Sequence, residues 1–122
     1  GEKFRNVTLR TLARIISEHT KGSDLVARYG ENEFVVVFNK TPKEVAVKLV
    51  EKLKNHIEMQ DFIQDAKESY IRLTMSFGVA GFPDDSSDVM ELIEHSNTML
   101  DLAKQLGKNR IAVYGRDFYR QS

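Results

Sequence analysis

The sequence predicts an α+β domain in which helices pack on a mixed, mostly antiparallel sheet. Three features support this fold class: an apolar hairpin with a polar tip around residue 30, a strand-like alternation around residue 75, and amphipathic helical patterns between the strands. The predicted elements follow the order α, β, β, α, β, α, β, which is typical of one sheet with helices on it. A length of 122 residues suits a single domain with one core.

The first predicted elements are a helix and a β-hairpin. Residues 7–19 place apolar side chains at helical spacing. Residues 25–28 (LVAR) are interpreted as a short strand, and residues 34–38 (FVVVF) are rich in the β-branched and aromatic side chains that favour strands. Gly30 supplies the positive φ that a hairpin turn needs, so the chain should reverse between these strands. The exposed tip then carries Glu31, Asn32 and Glu33.

The middle of the chain is predicted to hold a second helix followed by a loop. Residues 41–44, Thr-Pro-Lys-Glu, form a capping box with proline at the first helical position. One apolar stripe then continues to residue 57. Residues 59–70 keep no clear period, so we expect a loop or a weak extra turn there.

The last third is predicted to form a strand, a helix and a strand. Residues 71–81 alternate apolar with small or polar side chains, a period-two pattern that predicts one strand. We expect Ser86 or Ser87 to cap the next helix, which should end at Gly107. A short strand over residues 111–114 completes an arrangement of the ferredoxin-like kind.

Composition narrows the domain count and the function classes. No repeat or linker divides the chain, so residues 1–114 are predicted to form one domain and residues 115–122 a tail or linker. The 18 basic and 18 acidic residues balance, so no global field attracts nucleic acid or an anionic membrane. No apolar run reaches the ~20 residues of a membrane span. No signal-peptide pattern starts the chain either, so we expect a cytoplasmic domain.

The residue types also limit metal chemistry. The chain has no cysteine, which excludes disulfides and thiolate metal sites. Its three histidines, His19, His56 and His95, are scattered and lack the spacing of a zinc site. We therefore expect structural roles for them.

Three stretches carry motifs of a known family: residues 24–38 (DLVARYGENEFVVVF), 74–80 (TMSFGVA) and 103–110 (AKQLGKNR). In order and spacing they resemble the motifs of the GGDEF family, the bacterial diguanylate cyclases that condense two GTP molecules into cyclic di-GMP. The resemblance implies a nucleotidyl-cyclase-like fold and a place in cyclic di-GMP signal transduction. The signature is degenerate in this chain, where it consists of Gly30, Glu31, Asn32, Glu33 and Phe34.

The resemblance also implies an element that this numbering lacks. Family members begin with a strand and a helix, and Gly1-Glu2 and Arg5-Asn6 align with positions just after that unit. The strand of this unit is central in the family's sheet. An empty interior position would leave backbone groups unpaired and apolar faces uncovered. We therefore expect the unit to belong to a longer protein or to be supplied by another chain.

The resemblance assigns metal binding and catalysis to the hairpin tip. In the family, an aspartate on the first strand and the third signature residue hold two divalent cations, usually Mg²⁺. The third residue here is Asn32, which lacks the charge, so metal affinity should fall severely. Glu33 matches the fourth position and is the candidate catalytic residue and metal ligand; a solvated glutamate at a strand end is an equal interpretation. Glu31 replaces a glycine beside the phosphates, which its side chain should crowd and repel.

Two lysines and an asparagine are further candidates for nucleotide contact. Lys104 and Lys108 match phosphate-holding positions four residues apart near a helix end, so both should face one anion. Without the resemblance they would be interpreted as complements of the helix dipole. Asn6 stands where the family reads guanine with an aspartate, but capping of the first helix is the favoured interpretation.

One further pair covers the family's product-inhibition site, R-x-x-D. Asp24 is retained, but Lys21 replaces the arginine that binds cyclic di-GMP through two parallel hydrogen bonds. Lysine lacks that planar fork. We therefore expect weak binding of cyclic di-GMP, or none, at Lys21 and Asp24.

These substitutions predict a degenerate GGDEF domain that has lost cyclase activity. It should act as a regulatory module that binds GTP or cyclic di-GMP, or as an assembly module. Two alternatives stay open: an active diguanylate cyclase that uses Mg²⁺, because Glu33, Lys104 and Lys108 persist, and a purely structural dimerisation domain. We expect partners among other domains of the same signalling protein or a second copy in a homodimer, and neither nucleic acid nor direct membrane insertion.

Overall fold

The computed structural model describes residues 2–63 and 69–117. Within them the chain forms three helices and six strands. The helices are α1 (Glu2–Glu18), α2 (Lys43–Met59) and α3 (Val89–Gln105). The strands are β1 (Leu25–Tyr29), β2 (Glu33–Val37), β3 (Phe62–Ile63), β4 (Tyr70–Ile71), β5 (Phe77–Val79) and β6 (Ile111–Val113). None of the helices in this part of the chain is long and apolar enough to cross a membrane.

The chain divides into two compact units. Unit 1 contains Gly1–Thr41 and Lys52–Leu73, and unit 2 contains Pro42–Glu51 and Thr74–Ser122. The residues of α2 are therefore divided between them. Unit 1 holds the pair β1 and β2, whereas unit 2 holds the pair β5 and β6.

The hairpin of unit 1 forms as the sequence predicts. β1 and β2 pair in antiparallel register from Leu25 opposite Val37 to Tyr29 opposite Glu33. The turn between them contains Gly30, whose φ of +72° is one that glycine adopts without steric cost. The turn chemistry of Gly30 and the β-branched side chains of β2 both favour this element.

The core of unit 1 forms where α1 packs against β3. Ile15, Ile16 and Phe62 are at most 2% exposed, and burying each such side chain contributes about 1.5–3 kcal/mol. The loop predicted over residues 59–70 is thus wrong at β3, which pairs with β4 in antiparallel register. Residues 64–68 of that predicted loop lie outside the described residues.

Unit 2 packs α3 on the parallel pair β5 and β6. Met99 and Ala103 on α3 are fully buried against these strands. Gly78 permits the close approach, because a Cβ at this position would lie 2.0 Å from the carbonyl oxygen of Ser96 on the helix. A side chain at residue 78 would therefore separate the helix from the strands.

The predicted α+β fold class is confirmed, with two antiparallel strand pairs and one parallel pair among the described residues. The single strand predicted over residues 71–81 is wrong, because β4 ends at Ile71 and β5 begins at Phe77. A period-two pattern shows which face a side chain occupies, but it does not supply a hydrogen-bonding partner. The strand expected from outside this numbering stays a prediction. Of the predicted tail, residues 118–122 lie outside the described residues.

The beginnings of two helices differ from the prediction. α1 begins well before residue 7, so Asn6 lies inside the helix and does not cap it. Neither predicted serine caps α3; the N-cap is Asp88, whose carboxylate accepts a backbone N–H of the first turn at 3.2 Å. Ser86 instead accepts the N–H of Asp88 through its hydroxyl at 2.9 Å. The predicted end of α3 is confirmed, since Gly107 follows the helix with a φ of +124°.

Candidate functional site

The tip of the β1–β2 hairpin holds the signature residues on a paired support. Glu31 and Asn32 are exposed, whereas Glu33 at the start of β2 is half-buried. The guanidinium of Arg28 donates a hydrogen bond of 2.6 Å to the carbonyl oxygen of Glu31. This bond ties the end of β1 to the turn, so the tip has a defined conformation.

The charge of the tip is partly compensated from α1. The carboxylate of Glu31 lies 3.3 Å from the guanidinium of Arg5. Their side chains are 84% and 50% exposed, so this pair contributes little to stability. Asn6, the candidate guanine reader, is exposed on the same helix beside Arg5. Glu31 is therefore in direct contact with this helix through Arg5.

The tip gives a hard cation few ligands. Mg²⁺ requires near-octahedral oxygen ligands, usually one or more carboxylates. Across residues 2–63 and 69–117, no three His, Cys, Asp or Glu side chains are grouped so that they could hold a metal ion. The predicted ligands are the carboxylate of Glu33 and the neutral amide of Asn32. This donor set does not fit the two-cation site that the resemblance implies.

The predicted inhibitory-site pair is part of a closed hydrogen-bond network in unit 1. The carboxylate of Asp24 is 2% exposed and accepts the backbone N–H of Lys21 at 2.9 Å and that of Asn39 at 2.8 Å. The ammonium of Lys21 donates to Asp24 at 3.1 Å, to the Asn39 carbonyl at 2.9 Å and to the Thr41 hydroxyl at 3.0 Å. An ammonium has three N–H donors, so all three are engaged.

This network, which we call the Lys21–Asp24 clasp, favours the charged carboxylate. The backbone N–H of Lys21 lowers the pKa of Asp24 most, and the N–H of Asn39 and the ammonium of Lys21 lower it further. Burial of the carboxyl group opposes these effects but does not outweigh them. A ligand that used the Lys21 ammonium would first have to break contacts inside the protein.

The predicted phosphate-holding lysines lie around the end of α3 in unit 2. Lys104 is in the last turn of the helix, and Lys108 lies beyond it; both side chains are exposed. The argument from helical spacing is therefore wrong for this pair, because Lys108 is not helical and has a φ of +63°. The chain instead turns through Gly107 before it enters β6.

Backbone hydrogen bonds define this turn. The N–H of Gly107 donates to the carbonyl of Lys104 at 3.4 Å, and the N–H of Lys108 to that of Ala103 at 3.0 Å. This pair of bonds is a Schellman motif, which closes the helix end and fixes the direction of the chain after it. Lys104 and Lys108 are thus carried by one ordered structural unit.

Two of the histidines that appear scattered in the sequence meet in unit 1. Nε2 of His19 lies 2.9 Å from Nδ1 of His56, with the rings edge to face and their centroids 5.1 Å apart. Burial lowers the pKa of His19, and the positive charges of His56 and Lys52 lower it further, whereas Glu18 raises it. The sequence separation of 37 positions hides this pair from sequence patterns.

A buried ion pair in unit 2 also has no sequence signal. The ammonium of Lys43, at the start of α2, lies 2.7 Å from the carboxylate of Asp85 and donates to the carbonyl of Tyr114 at 2.6 Å. Asp85 also accepts the N–H of Gly81 at 2.7 Å. Because both side chains of the pair are largely buried and hydrogen-bonded, removing one partner would leave an uncompensated charge. The network has a structural role within unit 2.

The sequence matches the model of one protein family over most of its length. The family model described as the GGDEF domain of diguanylate cyclases matches residues 1–110. Diguanylate cyclase A of Treponema denticola is 30% identical over 113 residues, which cover 93% of this chain and 30% of that protein. Diguanylate cyclase DosC of Escherichia coli K12 is 27% identical over 114 residues, 93% of this chain and 24% of that protein. The chain spans less than a third of the length of these relatives.

Solved structures support the same fold. The GGDEF domain of TpbB (YfiN) from Pseudomonas aeruginosa superposes with a TM-score of 0.83 at 20% identity, covering 94% of this chain and 66% of that one. The active GGEEF domain of a Vibrio cholerae diguanylate cyclase gives 0.74 at 25% identity, covering 88% and 67%. The GGDEF domain of Caulobacter crescentus DgcB, solved in complex with cyclic di-GMP, gives 0.74 at 23% identity, covering 85% and 61%.

Proposed function

The chain belongs to the GGDEF family of diguanylate cyclase-like domains in cyclic di-GMP signalling, and from that premise we propose that this member has lost cyclase activity. In this proposal it binds GTP or cyclic di-GMP weakly, and it regulates or assembles the larger signalling protein of which it is part. Because GTP is a cytoplasmic nucleotide, the domain works in the cytoplasm. The observation that carries the proposal is the composition of the hairpin tip.

The first argument is the loss of a metal ligand. Asn32 is exposed at the tip of a well-formed hairpin, so the position keeps its geometry but not its charge. An amide oxygen binds a hard cation much less strongly than a carboxylate does. Two-metal phosphoryl transfer needs metal ions that bind both the attacking and the leaving oxygen. This substitution therefore weakens the binding of ions that the reaction requires.

The second argument is the added negative charge. Glu31 carries a carboxylate where the signature has a glycine, and its pair with Arg5 is too exposed to neutralise it fully. A triphosphate approaching the tip would meet this carboxylate and that of Glu33. The hydrogen bond from Arg28 to the Glu31 carbonyl holds the residue in place, so we expect the repulsion to persist.

The third argument concerns the binding groups that remain. Lys104 and Lys108 place two ammonium groups on an ordered turn, and lysine binds phosphate as a point charge. Their exposure to solvent predicts affinity that is weak and sensitive to salt. In contrast, the Lys21–Asp24 clasp already uses its ammonium donors, which favours little or no binding of cyclic di-GMP there.

An active cyclase is the alternative that Glu33 and the two lysines keep open. It would use Mg²⁺ and would need its remaining ligands from outside this numbering. The Vibrio cholerae domain described as active has the signature GGEEF, with an acidic third residue, whereas this chain has Asn32. The contrast favours the inactive interpretation. A purely structural dimerisation domain, which binds no nucleotide, is the second alternative.

The test uses the full-length protein incubated with GTP and either Mg²⁺ or Mn²⁺. We expect no cyclic di-GMP above the background of a protein-free reaction, measured by chromatography of the nucleotides. An active family member assayed in parallel controls for the conditions. Clear turnover would overturn the proposal and establish the cyclase. Calorimetry with GTP and with cyclic di-GMP then separates the remaining readings, because absence of heat with both at millimolar concentration supports the structural dimerisation domain.

A further inference from the structure

The turn between α3 and β6 has a backbone conformation that side chains rarely adopt. Lys108 has a φ of +63° and Asn109 a φ of +50°, directly after Gly107 at +124°. Asparagine is among the residues that tolerate this left-handed region, but lysine is not favoured there. Two successive residues other than glycine in this region need contacts that hold them.

The peptide group between Lys108 and Asn109 is held on both sides. Its N–H, which belongs to Asn109, donates to the hydroxyl oxygen of Ser76 at 3.1 Å. Its carbonyl oxygen, which belongs to Lys108, accepts a hydrogen bond from Nε of Arg110 at 3.3 Å. The orientation of this peptide plane sets ψ of Lys108 and φ of Asn109. Ser76 and Arg110 therefore stabilise ψ of Lys108 and φ of Asn109, one of the two backbone angles of each residue.

Ser76 can do this because its own position is fixed. It directly precedes β5, where the N–H of Phe77 donates to the carbonyl of Arg110 at 2.9 Å and Phe77 pairs with Ile111 of β6. The strand ladder thus anchors the serine and the far end of the turn to the same frame. The Schellman motif anchors the near end to α3 through the N–H of Lys108.

We infer that Ser76 is a positioning residue for nucleotide phosphate: its hydroxyl holds Lys108 in the left-handed conformation from which the ammonium reaches the anion beside Lys104. The inference rests on the proposed function, because it requires that Lys104 and Lys108 contact phosphate. Without the hydroxyl, the turn samples right-handed conformations in which the Lys108 side chain leaves in a different direction. The apparent affinity for a triphosphate then falls in proportion to the fraction of molecules with the competent turn.

The test compares three variants of the full-length protein by calorimetry with GTP. Ser76→Ala removes the acceptor, Ser76→Thr keeps a hydroxyl, and Ser86→Ala is the matched control. Ser86 likewise accepts a backbone N–H through its hydroxyl, at 2.9 Å, but at the start of α3, away from the turn. We expect Ser76→Ala to weaken GTP binding about fivefold. Ser76→Thr should restore most of the affinity, and Ser86→Ala should leave it unchanged.

Repeating the substitution in the Lys108→Ala variant tests whether Ser76 acts through Lys108. In Lys108→Ala, which has no ammonium left to position, Ser76→Ala should cause no further loss of GTP affinity. An equal loss in both backgrounds, or an unchanged affinity in Ser76→Ala alone, would overturn the inference. Amide exchange provides a structural readout, because the N–H of Asn109 should exchange faster in Ser76→Ala than in Ser86→Ala.

The two failures give different results. A parent protein that binds no GTP overturns the proposed nucleotide binding and this role together. A parent that binds GTP and loses it on Lys104→Ala with Lys108→Ala, but is indifferent to Ser76→Ala, overturns the positioning role alone. A uniform fall in thermal stability of all serine variants without a difference in affinity would likewise assign Ser76 a structural role only.

Discussion

The hairpin tip and the α3–β6 turn differ in how they depart from the family's motifs. The tip has a regular hairpin backbone but changed side chains, whereas the turn has the matching lysines. At the tip the backbone is regular, with paired strands and a glycine turn, but Glu31 and Asn32 stand where, in the proposed function, the chemistry needs a glycine and an acidic residue. At the turn the two cations are kept, and an unusual backbone is held in place around Lys108. Exposed side chains at a tip change at almost no cost to folding, so chemistry can be lost while the scaffold stays intact.

The largest expected effect is a partial reversal of that difference at the tip. Glu31→Gly with Asn32→Asp removes the crowding carboxylate and restores an acidic third residue. In the full-length protein, GTP affinity in the presence of Mn²⁺ should rise roughly 10- to 100-fold, provided that the first strand carries the family's aspartate. Calorimetry with and without the metal measures the gain.

Asn55→Asp, an exposed position on α2, is the matched control for the added charge. It should leave GTP binding unchanged. A double tip variant without any metal-dependent gain would show that more than these two residues separates the tip from a working site. Metal binding at the tip would then also require ligands from other parts of the protein.

The second effect removes what the turn keeps. Lys104→Ala with Lys108→Ala should abolish measurable GTP binding, because each charged hydrogen bond lost costs on the order of 1.5–3 kcal/mol. Lys48→Ala with Lys52→Ala is the matched control, since these exposed lysines have the same spacing on α2. Binding to the parent should weaken as salt is raised from 50 to about 300 mM. Equal GTP affinity in both double variants would show that Lys104 and Lys108 do not bind the nucleotide.

Local elements could be predicted from the sequence, and contacts between distant residues could not. The hairpin follows from Gly30 between two apolar strands, and the end of α3 follows from Gly107. The prediction of one strand over residues 71–81 failed because an alternating pattern specifies which face of a sheet each side chain occupies, but not which strand supplies the hydrogen bonds. The cap of α3 failed because serine and aspartate offer similar acceptors, and only the backbone shows that Asp88 is at the N-cap.

The candidate site shows the same division. Motifs identify Lys104 and Lys108 as a pair, but their spacing suggests a helical face that the Schellman motif replaces. The role of Ser76 at the turn needs a hydrogen bond across 33 residues of sequence. The Lys21–Asp24 clasp closes only because residues 39–41 return to it, which the R-x-x-D spacing does not show.

A third, smaller effect concerns the clasp, whose carboxylate is buried where those of the tip are exposed. Asp24→Asn should destabilise the protein by on the order of 1–3 kcal/mol, because the Lys21 ammonium and two backbone N–H groups lose a charged acceptor. Urea unfolding near neutral pH measures the change, with Asp101→Asn on the exposed face of α3 as control.

The pKa of Asp24 also gives this prediction a sign in pH. Because the folded protein lowers that pKa below its ordinary value of 3.8, the stabilisation is complete above pH 3.8 and is lost as the pH falls through the lowered value. Asp24→Asn should lack this part of the acid response. If Asp24→Ala abolished binding of cyclic di-GMP while the double lysine variant kept it, the ligand site would lie at the clasp and not at the α3–β6 turn.

The smallest expected effect concerns the His19–His56 pair in unit 1, where neither ring belongs to the tip or the turn. Burial and the neighbouring positive charges lower the pKa of His19 below its ordinary value of 6.5, so the folded state binds a proton there less readily than the unfolded state does. The resulting stability is complete above pH 6.5 and decreases as the pH falls through the lowered pKa.

Urea unfolding at several pH values between 7.5 and 5 should show this decrease in the parent and a smaller one in His56→Gln, which removes a positive neighbour of His19. His95→Gln, which changes a ring stacked on Tyr114 in unit 2, should keep the parent's response. Identical pH profiles for all three proteins would show that the contact between His19 and His56 carries no titration linkage.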